Sequence, residues 1–145
     1  MAKKTMPRGL RNNNPGNIRI NNIAYQGEVQ PSRDTAFKEF GTMAHGYRAM
    51  FVVLHTYQRK YGLDTIEAMI SRYAPATENH TRAYIDAVAE NSGVSATGRI
   101  TTTNGDVMIP IVAAMSGVEN GVPAVMADVE VGWQMFIADY RNHKI

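Results

Sequence analysis

Arg8-Gly9-Leu10-Arg11-Asn12-Asn13-Asn14-Pro15-Gly16-Asn17-Ile18-Arg19 is the stretch on which the reading of this chain turns. It is too poor in apolar residues for a core element and too rich in turn formers for an ordinary loop. Asn tolerates left-handed backbone angles and bonds its own main chain, Gly accepts positive φ, and Pro fixes φ near about −65°. A compact, rigid turn is therefore expected. Four amides, Asn12, Asn13, Asn14 and Asn17, offer donors and acceptors between flanking arginines. Such a set suits a neutral polyhydroxylated or amide-bearing ligand, for instance an N-acetylated sugar or a peptide. It equally suits a tight turn whose Asn side chains satisfy themselves.

Working outward, three short β-like pieces follow at 17–20, 23–26 and 36–40, separated by Asn21-Asn22 and a polar segment over 27–35. Strands this short make a small antiparallel sheet that is marginal alone and must lean on helices. The period then changes. Tyr47, Met50, Phe51, Leu54, Tyr57, Gln58 and Tyr61 recur at three and four, predicting a helix over 43–61 with Thr42 as N-cap and Gly62 as stop. Asp64-Thr65-Ile66-Glu67 is close to a capping box and opens a short helix with Ile66, Met69, Ile70 and Tyr73 on one face, ended by Pro75. A third helix is expected after Thr77, closing at Ser92-Gly93, a fourth over 106–118 with Pro110 near its first turn, and a last one over 129–140 carrying Trp133, Phe136, Ile137 and Tyr140 inward. The expected fold class is α+β, mainly α: about five helices around a small antiparallel sheet.

The ordered set Arg11-Asn12-Asn13-Asn14-Pro15-Gly16-Asn17-Ile18-Arg19, Tyr25-Gln26-Gly27, Phe37-x-x-Phe40 and Gly46-Tyr47-Arg48-Ala49 resembles a family of phage and prophage proteins with a lysozyme-like fold. Members are described as virion structural proteins or lytic transglycosylase-like proteins. The resemblance runs on through Tyr57-Gln58-x-x-Tyr61-Gly62, Arg72-Tyr73-Ala74-Pro75, Glu78-Asn79-x-Thr81 and Tyr84-Ile85 to Val118-Glu119-Asn120-Gly121, and so spans most of the chain. It implies a lysozyme-like domain over 1–145 and cleavage of the glycan backbone of peptidoglycan. The Asn turn with its aromatic-x-Gly step is also similar to what bacterial N-acetylglucosaminidases carry beside their catalytic helix.

Composition agrees with one small domain. The chain has 145 residues, 44% hydrophobic and 19% charged, with a net charge of +2. Lys and Arg are scattered, so nothing points to nucleic acid, while a mild positive balance favours an anionic cell envelope. There is no cysteine, and His45, His55, His80 and His143 lack metal-ligand spacing, so neither a cofactor nor a metal is expected. Residues 1–7 are expected to be flexible; they carry no apolar signal region, and no run is long enough to span a membrane. The expectation is a protein made in the bacterial cytoplasm that reaches the periplasmic wall through a holin, a secretion apparatus or a virion, or that forms part of a phage particle.

Glycosidase chemistry needs a partly desolvated carboxylic acid to protonate the glycosidic oxygen, and hydrolases usually add a second carboxylate. Lytic transglycosylases, as the resemblance implies, manage with one glutamate acting as acid and then base. Among the 13 acidic residues most fall at caps or on solvated helix faces, leaving Glu28, Glu39, Glu78 and Glu119. Glu78 belongs to a helix start, and Glu39 sits between two inward Phe residues and points to the other face of its strand. Glu28 follows Tyr25-Gln26-Gly27 in what reads as an exposed loop near the Asn turn. Glu119 is preferred, because its Glu-Asn-Gly step resembles the Glu-Ser-Gly step that carries the acid in soluble lytic transglycosylases. There that step precedes the Asn turn; here it follows, so a circularly permuted arrangement is expected, bringing Glu119 to a cleft floor facing Asn13, Asn14 and Tyr25. The same step also reads as a plain helix stop.

Substrate contacts are assigned to Asn12, Asn13, Asn14, Asn17, Tyr25, Gln26, Tyr47, Tyr73 and Asn120, with Arg48 and Arg72 as structural partners of Glu78 or a helix end. Two other classes stay open: a non-catalytic lysozyme-like virion protein that binds glycan, and a murein peptidase.

Overall fold

The computed structural model describes residues 6–76 and 80–145. Glu78 and Asn79, the first half of the Glu-Asn-x-Thr step, fall on residues outside that set, as does most of the 1–7 segment. Six helices and one two-stranded sheet are present among the described residues: α1 (Arg8–Arg11), β1 (Glu28–Val29), β2 (Glu39–Phe40), α2 (Met43–Tyr61), α3 (Ile66–Tyr73), α4 (Thr81–Ser92), α5 (Gly105–Asn120) and α6 (Met126–Arg141). The class is α+β, mainly α. No helix of the described residues is long and apolar enough to cross a membrane.

The sheet is smaller than the sequence predicts. Glu28 pairs with Phe40 and Val29 with Glu39, antiparallel. Residues 23–26 form no strand, because Gly27 turns at φ 81° and the Glu28 N–H bonds the Tyr25 carbonyl across that turn. The first piece does meet the last: Ile20 N–H donates to Ala36 O and Lys38 N–H to Ile18 O, both at 2.9 Å, but only Arg19 and Phe37 form a bridge.

α2 starts where the Thr42 hydroxyl accepts the His45 N–H and stops at Gly62 with φ 68°. Thr65 caps α3 in the same way through Ala68 N–H. The cap of α5 is Asn104, so the helix starts one residue earlier than its pattern predicts; the Asn104 side chain accepts the Asp106 N–H, since a short amide reaches an N-terminal donor from just outside the helix. Glu119 and Asn120 consequently lie inside the last turn of α5, with Gly121 at φ 72° as the stop. α6 begins at Met126, earlier than its apolar pattern indicates.

The core is built where α2 lies against α6. Phe51 meets Trp133 edge-on at 5.1 Å between centroids and stacks on Phe136 at 6.0 Å. Tyr47, Met50, Leu54 and Val129 are fully buried around them. The close approach depends on Gly132, where an added Cβ would stand 2.7 Å from Tyr47 Cβ and 2.9 Å from the Ala44 carbonyl oxygen. Overpacking of that kind costs about 1–3 kcal/mol, against about 1 kcal/mol of helix propensity gained from alanine. With backbone atoms as neighbours the upper half of that range applies. Gly132→Ala is therefore expected to lower the melting temperature by about 2–8 °C in thermal unfolding, whereas a helix chosen by propensity alone would be stabilised.

Candidate functional site

The Asn turn divides its four amides between two jobs. Asn14 is fully buried: its Nδ2 donates to the carbonyls of Ile18 and Lys38, both at 2.9 Å, and its Oδ1 accepts the Ile18 N–H. Asn13 reaches the Phe40 carbonyl and Asn12 the Asp34 carboxylate. Asp34 is held by the Arg8 guanidinium through two 2.7 Å bonds, and that guanidinium keeps its carboxyl well below the usual range. Three of the four amides thus staple the turn to the 34–40 segment and have little left for a ligand. The fourth, Asn17, sits at φ 50° and swings its Nδ2 to the Glu119 carboxylate, 2.9 Å from Oε1.

Glu119 completes its surroundings through Tyr84, whose hydroxyl donates to Oε2 at 2.9 Å. Burial pushes its carboxyl pKa up, and the two donors from Asn17 and Tyr84 only partly offset that rise. Tyr73 is placed beside it by a 2.6 Å bond from its hydroxyl to the Gly16 carbonyl, and burial together with the Glu119 charge holds that phenol well above its ordinary value. Gly16 must be glycine, because a Cβ there would collide with the Tyr73 hydroxyl and crowd Met50. Asn120 ties the end of α5 to the turn, donating to the carbonyls of Pro15 and Ser116.

Glu119 opens into a cleft of about 680 Å³ between the turn and the C-terminal halves of α2 and α3. Its walls include Asn17, Arg19, Tyr25 and Phe37 on one side and Tyr57, Lys60, Tyr61, Arg72 and Tyr73 on the other. Glu119 is the one carboxylate among the described lining residues. No group of three or more His, Cys, Asp or Glu side chains that could hold a metal occurs among the described residues.

Several sequence assignments move. Glu28 is no exposed loop acid: it forms an ion pair with Lys38 at 3.1 Å, both side chains buried. Burial alone would raise its pKa, but hydrogen bonds from the Tyr25 N–H, Gln30 and Lys38 outweigh that and lower it, the opposite of what a proton donor needs. Glu39 is buried and paired with Arg33 rather than turned outward. Tyr47 is 1% exposed with its hydroxyl bonded to Ser116, so it belongs to the core and cannot meet a sugar. Asn13, Asn14 and Asn120 spend their amides on the backbone, and Gln26 is exposed outside the cleft lining. Arg48 pairs with Asp139 at 2.8 Å. Arg72, in the last turn of α3, lies over the rings of Tyr61 and Tyr57; its other expected partner, Glu78, lies outside the described residues.

Sequence reasoning missed Tyr84 as a partner of the acid and the Tyr57, Lys60, Tyr61 and Arg72 wall. The i, i+4 spacing of Tyr57 and Tyr61 beyond the last aliphatic residue of α2 was the available signal. Apolar periodicity counted both as core, although Tyr61 is 46% exposed.

No family model matches the chain. Over 131 aligned residues it is 38% identical to Protein P5 of Pseudoalteromonas phage PM2, an alignment that covers 88% of this chain and 80% of that protein. At that identity and coverage, the chain belongs to the phage-protein family of Protein P5.

Proposed function

We propose that this phage-family protein is a lysozyme-like glycosidase that cleaves the glycan backbone of peptidoglycan with Glu119 as its single acid and base, in the manner of a lytic transglycosylase. The observation that carries the reading is the half-buried Glu119 carboxyl at the cleft, oriented by Asn17 and Tyr84 and with its pKa raised by burial. A raised pKa lets the carboxyl hold its proton to higher pH than an exposed glutamate does, which is the direction general acid catalysis requires. A hydroxyl-rich glycan strand also suits walls made of tyrosine faces and the Asn17 amide.

In the proposed reaction Glu119 gives its proton to the glycosidic oxygen as the C1–O bond breaks. The substrate's own 6-hydroxyl then forms a new bond to C1, and its proton returns to the Glu119 carboxylate. The protein ends as it began, and the product carries a 1,6-anhydro ring. This scheme asks for one carboxyl acting as acid and then base, which Glu119 supplies at the cleft, whereas a hydrolase would add a second carboxylate about 5–9.5 Å away. The proposed site of action is the periplasmic wall, reached through a holin, a secretion apparatus or a virion.

Mass analysis of the fragments released from purified sacculi tests this. Anhydro ends are the expected result; reducing ends would mean water attack, new amines a peptidase, and no release a binding protein. Tyr84 supplies a finer check. Its hydroxyl favours the ionised form of Glu119, so Tyr84→Phe raises the Glu119 pKa and leaves it protonated to higher pH. The alkaline limb of a kcat/KM profile is expected to move upward in that variant.

A further inference from the structure

We propose that Arg72 and Lys60, mounted on the tyrosines of the cleft wall, select glycan strands whose sugars carry carboxylate substituents over neutral N-acetylated oligomers. The inference rests on the glycan reading of the same cleft. The Arg72 guanidinium carbon lies 3.9 Å from the centroid of the Tyr61 ring and 5.4 Å from that of Tyr57, and Lys60 Nζ lies 5.8 Å from the Tyr61 centroid. Stacking of this kind fixes the plane of the guanidinium and leaves its N–H edges presented to whatever enters. Six cations outside the cleft, Arg8, Arg33, Lys38, Arg48, Arg82 and Arg99, each form an ion pair with a carboxylate. Among the described residues no carboxylate pairs with Arg72 or Lys60, although both line the cleft. The planar fork of an arginine matches a carboxylate with two parallel hydrogen bonds, which a neutral hydroxyl cannot reproduce.

The test uses the Glu119→Gln protein, so that ligands are not consumed, and three oligosaccharides of equal length. The first is a neutral N-acetylglucosamine oligomer. The second alternates that sugar with its lactyl ether, adding one carboxylate per disaccharide, and the third carries peptide stems on the lactyl groups. Calorimetric titration at low salt is expected to give affinities about tenfold higher for a carboxylate-bearing ligand, the scale of one charge-assisted contact. Salt should shrink that ratio by screening, and Arg72→Gln in the same background should cut it to about threefold or less. Tight binding of the bare lactyl strand names the lactyl carboxylate as the recognised group; tight binding of the stemmed strand alone names the peptide carboxylates. A ratio near one, a ratio indifferent to salt and to Arg72→Gln, or no binding of any of the three overturns the proposal. Cleavage of sacculi by the unmodified protein is scored separately. A ratio of one with intact cleavage removes the charge selection alone, whereas a tenfold ratio without bond breakage removes the glycosidase reading and keeps the binding one.

Discussion

Glu119→Gln is expected to abolish release of glycan fragments, by about a thousandfold or more, without loosening the fold. One general acid or base step is worth about 10²–10⁴-fold, and in the proposed reaction the same carboxyl serves both. The amide is nearly isosteric and can keep both contacts: its oxygen accepts from Asn17 Nδ2 while its NH₂ turns toward Tyr84, whose hydroxyl then accepts instead of donating. Stability should shift slightly upward at neutral pH. A carboxyl whose folded pKa exceeds its unfolded one is favoured in the folded state while protonated, and that advantage is lost as pH rises through the folded value. Replacing it by an uncharged amide removes the cost of burying the charge at pH 7. Glu119→Asp separates chemistry from charge, because it draws the carboxyl back by one methylene and misplacement by about 1 Å can cost about a hundredfold. Turbidity loss of sacculi measures all three proteins. A Gln variant that still releases fragments at the unmodified rate would remove Glu119 from the chemistry and return the cleft to a binding role.

The fold class, the helix order and the caps at Thr42, Gly62 and Gly93 were legible because each depends on local signals: a 3.6-residue apolar period, a hydroxyl before a helix, a glycine after it. The position of Glu119 at the cleft was legible for a different reason. It stands at the end of an apolar helix in a step that resembles a catalytic one, and elimination removed most of its competitors. What could not be read is where long-range partners lie. Tyr84 is 35 residues from Glu119 in sequence, and Asn17 is 102 away; no periodicity links them, only the packing of α4 and the turn against α5. The Asn run shows the limit from the other side. Four like amides within six residues carry no mark that says two will bond the backbone and two a carboxylate, one of them at the cleft; that choice is made by Asn13 and Asn17 at φ 51° and 50° aiming neighbouring side chains apart.

Glu28 gives the second large effect, and it is one of stability rather than chemistry. Lys38 is completely buried, its ammonium donating to the Ile23 carbonyl at 2.7 Å and to both Glu28 oxygens at 3.1 Å, with the Tyr25 ring 5.5 Å away. Glu28→Gln removes the charge that compensates this ammonium. Breaking a buried pair from one side costs about 3–5 kcal/mol, a fall in melting temperature of about 6–20 °C for a chain of this size. Glu28→Gln with Lys38→Met removes both charges while the new amide still accepts the Tyr25 N–H, so most of the loss should return. The pH dependence has a defined sign. The folded Glu28 pKa lies below the ordinary 4.5, so the pair contributes fully above pH 4.5 and fades as pH falls through the folded value. The gap between the native protein and the double variant should therefore close on acidification. If the single variant instead kept its melting temperature and lost glycan cleavage, Glu28 would be acting on substrate and the ion pair would be incidental. Because Lys38 also anchors the 23–25 loop that forms one wall of the cleft, a destabilised single variant is expected to lose substrate affinity before it loses turnover, a KM effect that the catalytic reading of Glu28 does not produce.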